Sequence, residues 1–329
     1  MKKMKNLLAP LLAVPLILAG CQEESSKEKT QEKKDKVHIV TSFYPRYEFT
    51  KNVAGDLAEV DLLIPSSIEP HDWEPTPKDI GNIQQADLFV YDSEYMETWV
   101  PDMASSLDSD TILVKASEGI SLMDGQEEHE HEHEGEEGEH EESSHEEGEE
   151  HEHHHEKDPH VWLSPVLAQK EVMNITNALI EKDPDNEKTY RKNSDDYISQ
   201  LKELDQQFKN TLSDVPNKEI ITQHAAFGYL ADEYGLEQVA IAGLSPENEP
   251  SPAKLGELKE FAKEHEISTI FFEETASPKV AQTLADEIGA DTEVLNTLEG
   301  LSEEDQKNGA DYISIMNNNL EKLKNALEK

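Results

Sequence analysis

Residues 184–212 read PDNEKTYRKNSDDYISQLKELDQQFKNTL, and the reading of this stretch decides the fold. Tyr190, Tyr197, Leu201, Leu204, Phe208 and Leu212 recur at spacings of seven, four, three, four and four, which keeps them on one face of a helix. Asp183 followed by Pro184 is a helix start signal, as is Ser164 followed by Pro165 upstream. At 1.5 Å per residue the helix over 184–212 is roughly 40 Å long, enough to run the length of two lobes. Periodicity alone leaves two arrangements open: a helix packed inside one domain, or a strut between two.

On either side of this helix lie short apolar runs rich in β-branched residues. Strands are expected at 37–42, 60–64, 87–91 and 111–115 before it, and at 218–222, 238–242, 268–273 and 292–295 after it. Strands alternating with helical stretches imply parallel sheets in α/β lobes, and four strands per lobe is the simplest partition. The expected division is an N-terminal lobe over 37–183, a connecting helix over 184–212 and a C-terminal lobe over 213–329.

The chain opens MKKMKNLLAPLLAVPLILAGC, with three lysines before a short apolar run that ends at Leu18, Ala19, Gly20 and Cys21. The run is shorter than the ~20 residues a bilayer span needs, so residues 1–20 read as a secretory signal peptide. Small residues before the chain's one cysteine resemble a bacterial lipobox, which makes Cys21 the expected lipidation site. With a single cysteine, disulfides within the chain and clustered thiolate ligands are excluded. Residues 21–36, acidic and lysine-rich with almost no apolar side chain, are an expected disordered tether.

The formal charge is −43, and removing Lys2, Lys3 and Lys5 with the signal makes it more negative. Such a chain repels nucleic acid and anionic lipid alike, so a lipid anchor rather than a basic patch must hold it at a membrane. Cations are its natural partners.

Fourteen histidines are present. Nine of them, His129, His131, His133, His140, His145, His151, His153, His154 and His155, alternate with glutamate inside an insertion over 126–157 that has no branched or aromatic apolar residue. Unable to bury anything, this segment is an expected disordered loop. His38 and His265 read as ordinary strand and helix-surface residues.

The remaining three have other surroundings. EPHDWEPTP (69–77) and DPHVWLSP (158–165) share an acidic-Pro-His-x-Trp core, so His71 and His160 leave stiff loops. The tryptophan of each motif can wall off water, and the acidic neighbour can accept from the second ring nitrogen of a metal-bound imidazole. His224 follows a strand in EIITQHAAFGYLADEYG. All three fall just past strand ends, where open parallel sheets bind ligands, and three imidazoles suit zinc. The fourth ligand should be a carboxylate, with Glu273, Glu274 and Glu299 as candidates that chain spacing does not separate.

Taken together, EPHDWEPTPKDI, the histidine-rich insertion, DPHVWLSP, TQHAAFGYLA and VLNTLEG resemble the zinc-binding lipoproteins of the ZnuA and AdcA type, the metal-binding subunits of bacterial ABC uptake systems. The resemblance runs from Val37 to Leu327. It implies two α/β lobes, each with a four-stranded parallel sheet flanked by helices, joined by a long rigid helix, with metal in the cleft between them. It implies His71 and His160 from the first lobe and His224 and Glu299 from the second as ligands of Zn2+, held as cargo. Manganese-binding relatives place a carboxylate where His224 stands. The expected function is an extracytoplasmic, lipid-anchored zinc receptor that delivers to an ABC permease, a monomer that performs no chemistry, with the histidine-rich loop as an auxiliary collector of metal. Its rivals are a manganese or iron receptor or a metal-dependent adhesin of the same fold, and a zinc hydrolase, for which no HExxH or comparable signature appears.

Overall fold

Tyr190, Tyr197, Leu201, Leu204, Phe208 and Leu212 are each 3% exposed or less and share one face of a single helix, α5 (Glu187–Leu212), entered through a 3-10 turn at Pro184–Asn186. In the computed structural model, residues 36–107, 110–125, 157–246, 250–273 and 277–329 are described, and Lys36–Lys329 form one compact unit. Cys21, the tether up to Asp35, Glu274 and the nine histidines between 129 and 155 lie outside the described residues.

Before α5 come β1 (Val37–Thr41), α1 (Tyr44–Ala54), β2 (Ala58–Leu62), α2 (Pro77–Gln85), β3 (Leu88–Tyr91), α3 (Val100–Ser106), β4 (Ile112–Lys115) and α4 (Pro165–Lys182). After it come β5 (Glu219–Thr222), α6 (Gly228–Tyr234), β6 (Glu237–Ala240), α7 (Pro252–Glu264), β7 (Thr269–Phe272), α8 (Lys279–Ile288), β8 (Asp291–Val294), α9 (Glu303–Asn308) and α10 (Tyr312–Leu327). The strands form two four-stranded sheets, β2-β1-β3-β4 and β6-β5-β7-β8, every pairing parallel. Each expected strand is present, displaced by at most two residues at its ends. The same strand order, built twice, aligns the carboxyl ends of each sheet along one edge, where the connecting loops collect.

Helix α5 packs on α1 and α4 of the first half and on α6 and α10 of the second. The helix therefore touches elements that precede it and elements that follow it in the chain. One apolar cluster runs without a break from Ile39 and Leu88, through Phe49, Leu179, Leu201 and Phe208, to Ile220, Leu230 and Leu320. The two outer sheet faces are covered separately. Phe89, Trp99 and Met103 line the first, and Ile241, Leu258 and Leu284 line the second.

Inside the first half sits a charged knot. Arg46 of α1 is fully buried and donates to Asp92, 2.6 Å away, and to both carboxyl oxygens of Glu171 on α4, while Phe43, Phe49 and Trp162 surround its guanidinium at 5.4–5.6 Å. Nearby, Glu97 accepts from the backbone N–H groups of Asp92 and Ser93. Burial pushes Glu97 and Glu171 up to about 8. The knot ties α1, the end of β3 and α4 together beside Trp162.

Candidate metal centre

The chain from β2 into α2 carries His71, and the short segment before the 3-10 turn Val161–Leu163 carries His160. The residues just past β5 and β8 bring in His224 and Glu299. These four converge: their ligand atoms all lie within 4.8 Å of one another. His71 Nε2 is 3.1 Å from His160 Nε2 and 3.3 Å from Glu299 Oε1. His160 Nε2 is 3.3 Å from both His224 Nε2 and Glu299 Oε1, and His224 Nε2 is 3.6 Å from that oxygen. A tetrahedron with metal–ligand bonds of about 2.0–2.1 Å has edges of about 3.3–3.4 Å. Five of the six separations lie close to those edges, and all four ligand atoms fall within 4.8 Å of one another.

Three of the four side chains are sealed from water, and His71 is the one with measurable exposure, 9% of its side chain. The sealing comes from the second motif tryptophan. Trp162 is fully buried, stands 5.2 Å from the His160 ring, donates through Nε1 to Thr297 O and accepts at its carbonyl from Tyr312 Oη. It thereby fastens the His160 segment to the Glu299 segment. Trp73, its counterpart in the first motif, does something else: it packs against Trp99 at 5.6 Å, over the outer face of the first sheet. The two motifs share a loop geometry but not a wall.

Their acidic residues diverge in the same way. Asp158 accepts both the backbone N–H of His160, at 2.9 Å, and its Nδ1, at 2.7 Å, which turns Nε2 towards the site. Glu69 accepts the backbone N–H of His71 at 3.1 Å, and no contact from it reaches the ring. Of the two neighbouring glutamates at the end of β7, Glu273 is described and does not join the four; it stands behind His224, with Oε1 2.6 Å from Nδ1. Spacing could not have revealed this, because it depends on register between strands. His38 and His265, outside the site, contact Asp61 and Glu219, as expected of ordinary surface histidines.

The backbone supports the carboxylate ligand closely. Leu298 takes a positive φ of 60° with its N–H held by Asn296 Oδ1 at 2.7 Å, and Asn319 brackets Asn296 on both sides. Glu299 Oε2 accepts from Thr297 Oγ1 at 2.9 Å, leaving Oε1 for the site. At Gly300 a Cβ would stand 2.1 Å from Ser66 O. Glycine at 300 therefore lets the β2 loop and the β8 loop touch.

Electrostatics follow from the same contacts. Burial alone opposes ionisation of Glu299, but hydrogen bonds from His160, His224 and His71 outweigh it and hold its carboxyl well below the usual range. Burial likewise works against charge on His160, yet Asp158 and Glu299 lift it to about 9. Glu273 and Glu299 overcome burial at His224 and raise it well above the ordinary histidine value. His71 is the exception: burial wins and lowers it. Burial and then the Glu299 charge push Glu69 up to about 8.

The stem of the histidine-rich insertion reaches the same place. Asp124 and Lys157 form an antiparallel bridge and an ion pair. Tyr229 of α6 accepts from Met123 N at 2.8 Å and donates to Asp158 O at 2.7 Å.

A family model described as the periplasmic component A of the zinc-uptake complex matches residues 39–326. The high-affinity zinc uptake system protein ZnuA of Bacillus subtilis is 59% identical over 313 residues, 95% of this chain and 94% of that protein. The zinc-binding lipoprotein AdcA of Streptococcus pneumoniae is 48% identical over 330 residues, where the chain spans 62% of the relative's length. The solved Zn(II)-bound ZnuA-like domain of Streptococcus pneumoniae AdcA superposes with a TM-score of 0.74 at 46% identity, covering 90% of this chain and 100% of that one.

Proposed function

The chain belongs to the family of periplasmic zinc-uptake components, and from that premise we propose that it captures zinc with His71, His160, His224 and Glu299 and passes it to a membrane permease. It is an extracytoplasmic zinc-binding receptor, and zinc is its cargo. The observation that carries the ligand assignment is the convergence of three Nε2 atoms and one Oε1, five of whose six separations are 3.1–3.6 Å, close to the edges of a zinc tetrahedron. Four protein ligands leave no open position for an activated water, so the same set argues for binding without catalysis.

Three further parts complete the reading. Residues 1–20 are a removed signal, and Cys21 carries the lipid that holds the receptor at the membrane, with 21–36 as tether. Residues 37–183 and 213–329 are two lobes joined by the helical stretch 184–212, and the receptor works as a monomer. His129, His131, His133, His140, His145, His151, His153, His154 and His155 collect metal near the cleft, weakly, because a segment that must order itself to grip an ion loses binding free energy that a preset site keeps.

The test uses a tag-free variant without residues 126–156. Because Asp124 and Lys157 are bridge partners, their ends are within reach of a short join. The expected result is one tightly held zinc. His224→Ala or Glu299→Ala should weaken it by more than about 100-fold, beyond the loss usual for disturbing a partner behind a ligand. Preference for manganese over zinc in the same competition would reject the assignment, and a metal-bound water that titrates near neutrality would revive the hydrolase.

A further inference from the structure

One buried acid beside the centre has no place in the ligand set. Glu273 is 1% exposed and follows directly on β7. Strands β5 and β7 run parallel, with Thr222 paired to Phe271, so two residues further along both chains His224 and Glu273 come side by side. Glu273 Oε1 accepts the His224 backbone N–H at 3.1 Å and lies 2.6 Å from its Nδ1. The carbonyl of the same residue is held too: His224 O accepts from Thr222 Oγ1 at 2.8 Å and from Gln238 Nε2 at 3.0 Å.

A common device now shows at all three histidines. In each case a carboxylate oxygen accepts the backbone N–H of the imidazole-bearing residue: Glu69 for His71, Asp158 for His160, Glu273 for His224. For the first two the acid sits two residues upstream, in an acidic-Pro-His turn. His224 is preceded by Thr222 and Gln223 and has no such neighbour. Its carboxylate comes instead from the adjacent strand, 49 residues away. At His160 the same oxygen also hydrogen-bonds Nδ1, and at His224 it lies 2.6 Å from Nδ1; a carboxylate behind Nδ1 leaves Nε2 for a metal.

We propose that Glu273 is a positioning residue for zinc capture, fixing the tautomer and aim of His224 from strand β7 as Asp158 does for His160 from within its own turn. This rests on the reading of His224 as a ligand. It adds a specific dependence: zinc should be held through a carboxylate that never touches it.

The experiment uses the full chain with two probes, zinc and cobalt. The zinc readout is the equivalent released last to a chelator. The cobalt readout is the strong visible absorption of a tetrahedral site, which weak six-coordinate cobalt on surface histidines does not produce. Glu273→Gln keeps the shape and an acceptor for the backbone N–H but removes the charge behind Nδ1. It should weaken the last zinc by about 10–100-fold and move the cobalt bands, with the metal-free melting temperature unchanged. If Glu273→Gln folds less well, Glu273→Asp serves in its place, shortening the reach to Nδ1 while keeping the charge. The deciding comparison is a double-mutant cycle with His224→Asp. Once the imidazole is gone, Glu273→Gln should cost zinc affinity nothing more. Wild-type zinc release and an unmoved cobalt spectrum in Glu273→Gln overturn the proposal. So does an equal loss in both backgrounds, which marks a general structural role. Failure of the parent reading looks different: the last zinc would survive His224→Asp itself, and the inference would fall with it.

Discussion

At His160 and His224 the neighbouring carboxylates favour the protonated ring. Asp158 and Glu299 lift His160 to about 9, and Glu273 and Glu299 raise His224 well above the ordinary histidine value. Zinc needs both rings unprotonated at Nε2, so capture competes with protons at these rings. The direction follows: affinity is lowest where both rings are protonated, and climbs as pH rises towards the His160 value of about 9. Below that point it should fall by about 10–100-fold per pH unit, one decade for each proton displaced. Sequence reading alone places this fall near pH 6, the region of an unperturbed histidine; the buried carboxylates move it upward. Competition against a chelator at pH 6, 7, 8 and 9 checks this, and a plateau already reached at pH 7 contradicts it. The three histidines that converge were legible as candidates, because acidic-Pro-His turns and a histidine past a strand are local patterns, whereas chain spacing did not separate Glu299 from Glu273 and Glu274. What stood behind the histidines was not legible. Glu273 shows nothing in its own neighbourhood, and nothing in the run SFYPRYEFTKN marks Arg46 as buried, although the fold closes five aromatic and acidic partners around it.

Among the elements, the strands and α5 were readable for one reason: each buries a periodic set of side chains, and periodicity is written in the chain. The short helices α3, α6 and α9 have too few turns to show a period, and they are placed by loops and caps such as Ser302 accepting from Asp305 N. Helix α5 is where element and stability meet. Leu201 is fully buried within the apolar cluster that both halves share. Leu201→Ala should cost about 2–5 kcal/mol, the range for a cavity left in a tight core. Because α5 packs on α1 and α4 as well as on α10, thermal unfolding of this variant should stay a single transition. Far-ultraviolet circular dichroism and tryptophan fluorescence should follow one curve; all three tryptophans precede α5, so separated curves would mean that the halves melt independently.

For the whole molecule the telling contact is Gly300 against Ser66, where the β2 loop meets the β8 loop. Any side chain there must push the loop that carries His71 away from the carboxylate of Glu299. Gly300→Ala should cost about 1–3 kcal/mol, and if that strain falls on the loaded state it weakens zinc by about 5–150-fold. Calorimetric titration of the variant beside its melting curve separates the two: an unchanged affinity with a lowered melting temperature would place the strain elsewhere.

The uninterrupted interior has a last implication. Two bodies that swing apart around a cargo announce its arrival by changing silhouette, which a docking protein can read from afar. Here one greasy interior runs through both halves, so parting them would open apolar surface to water, and the one side chain of the four with any exposure, His71, is where an arriving ion first meets the protein.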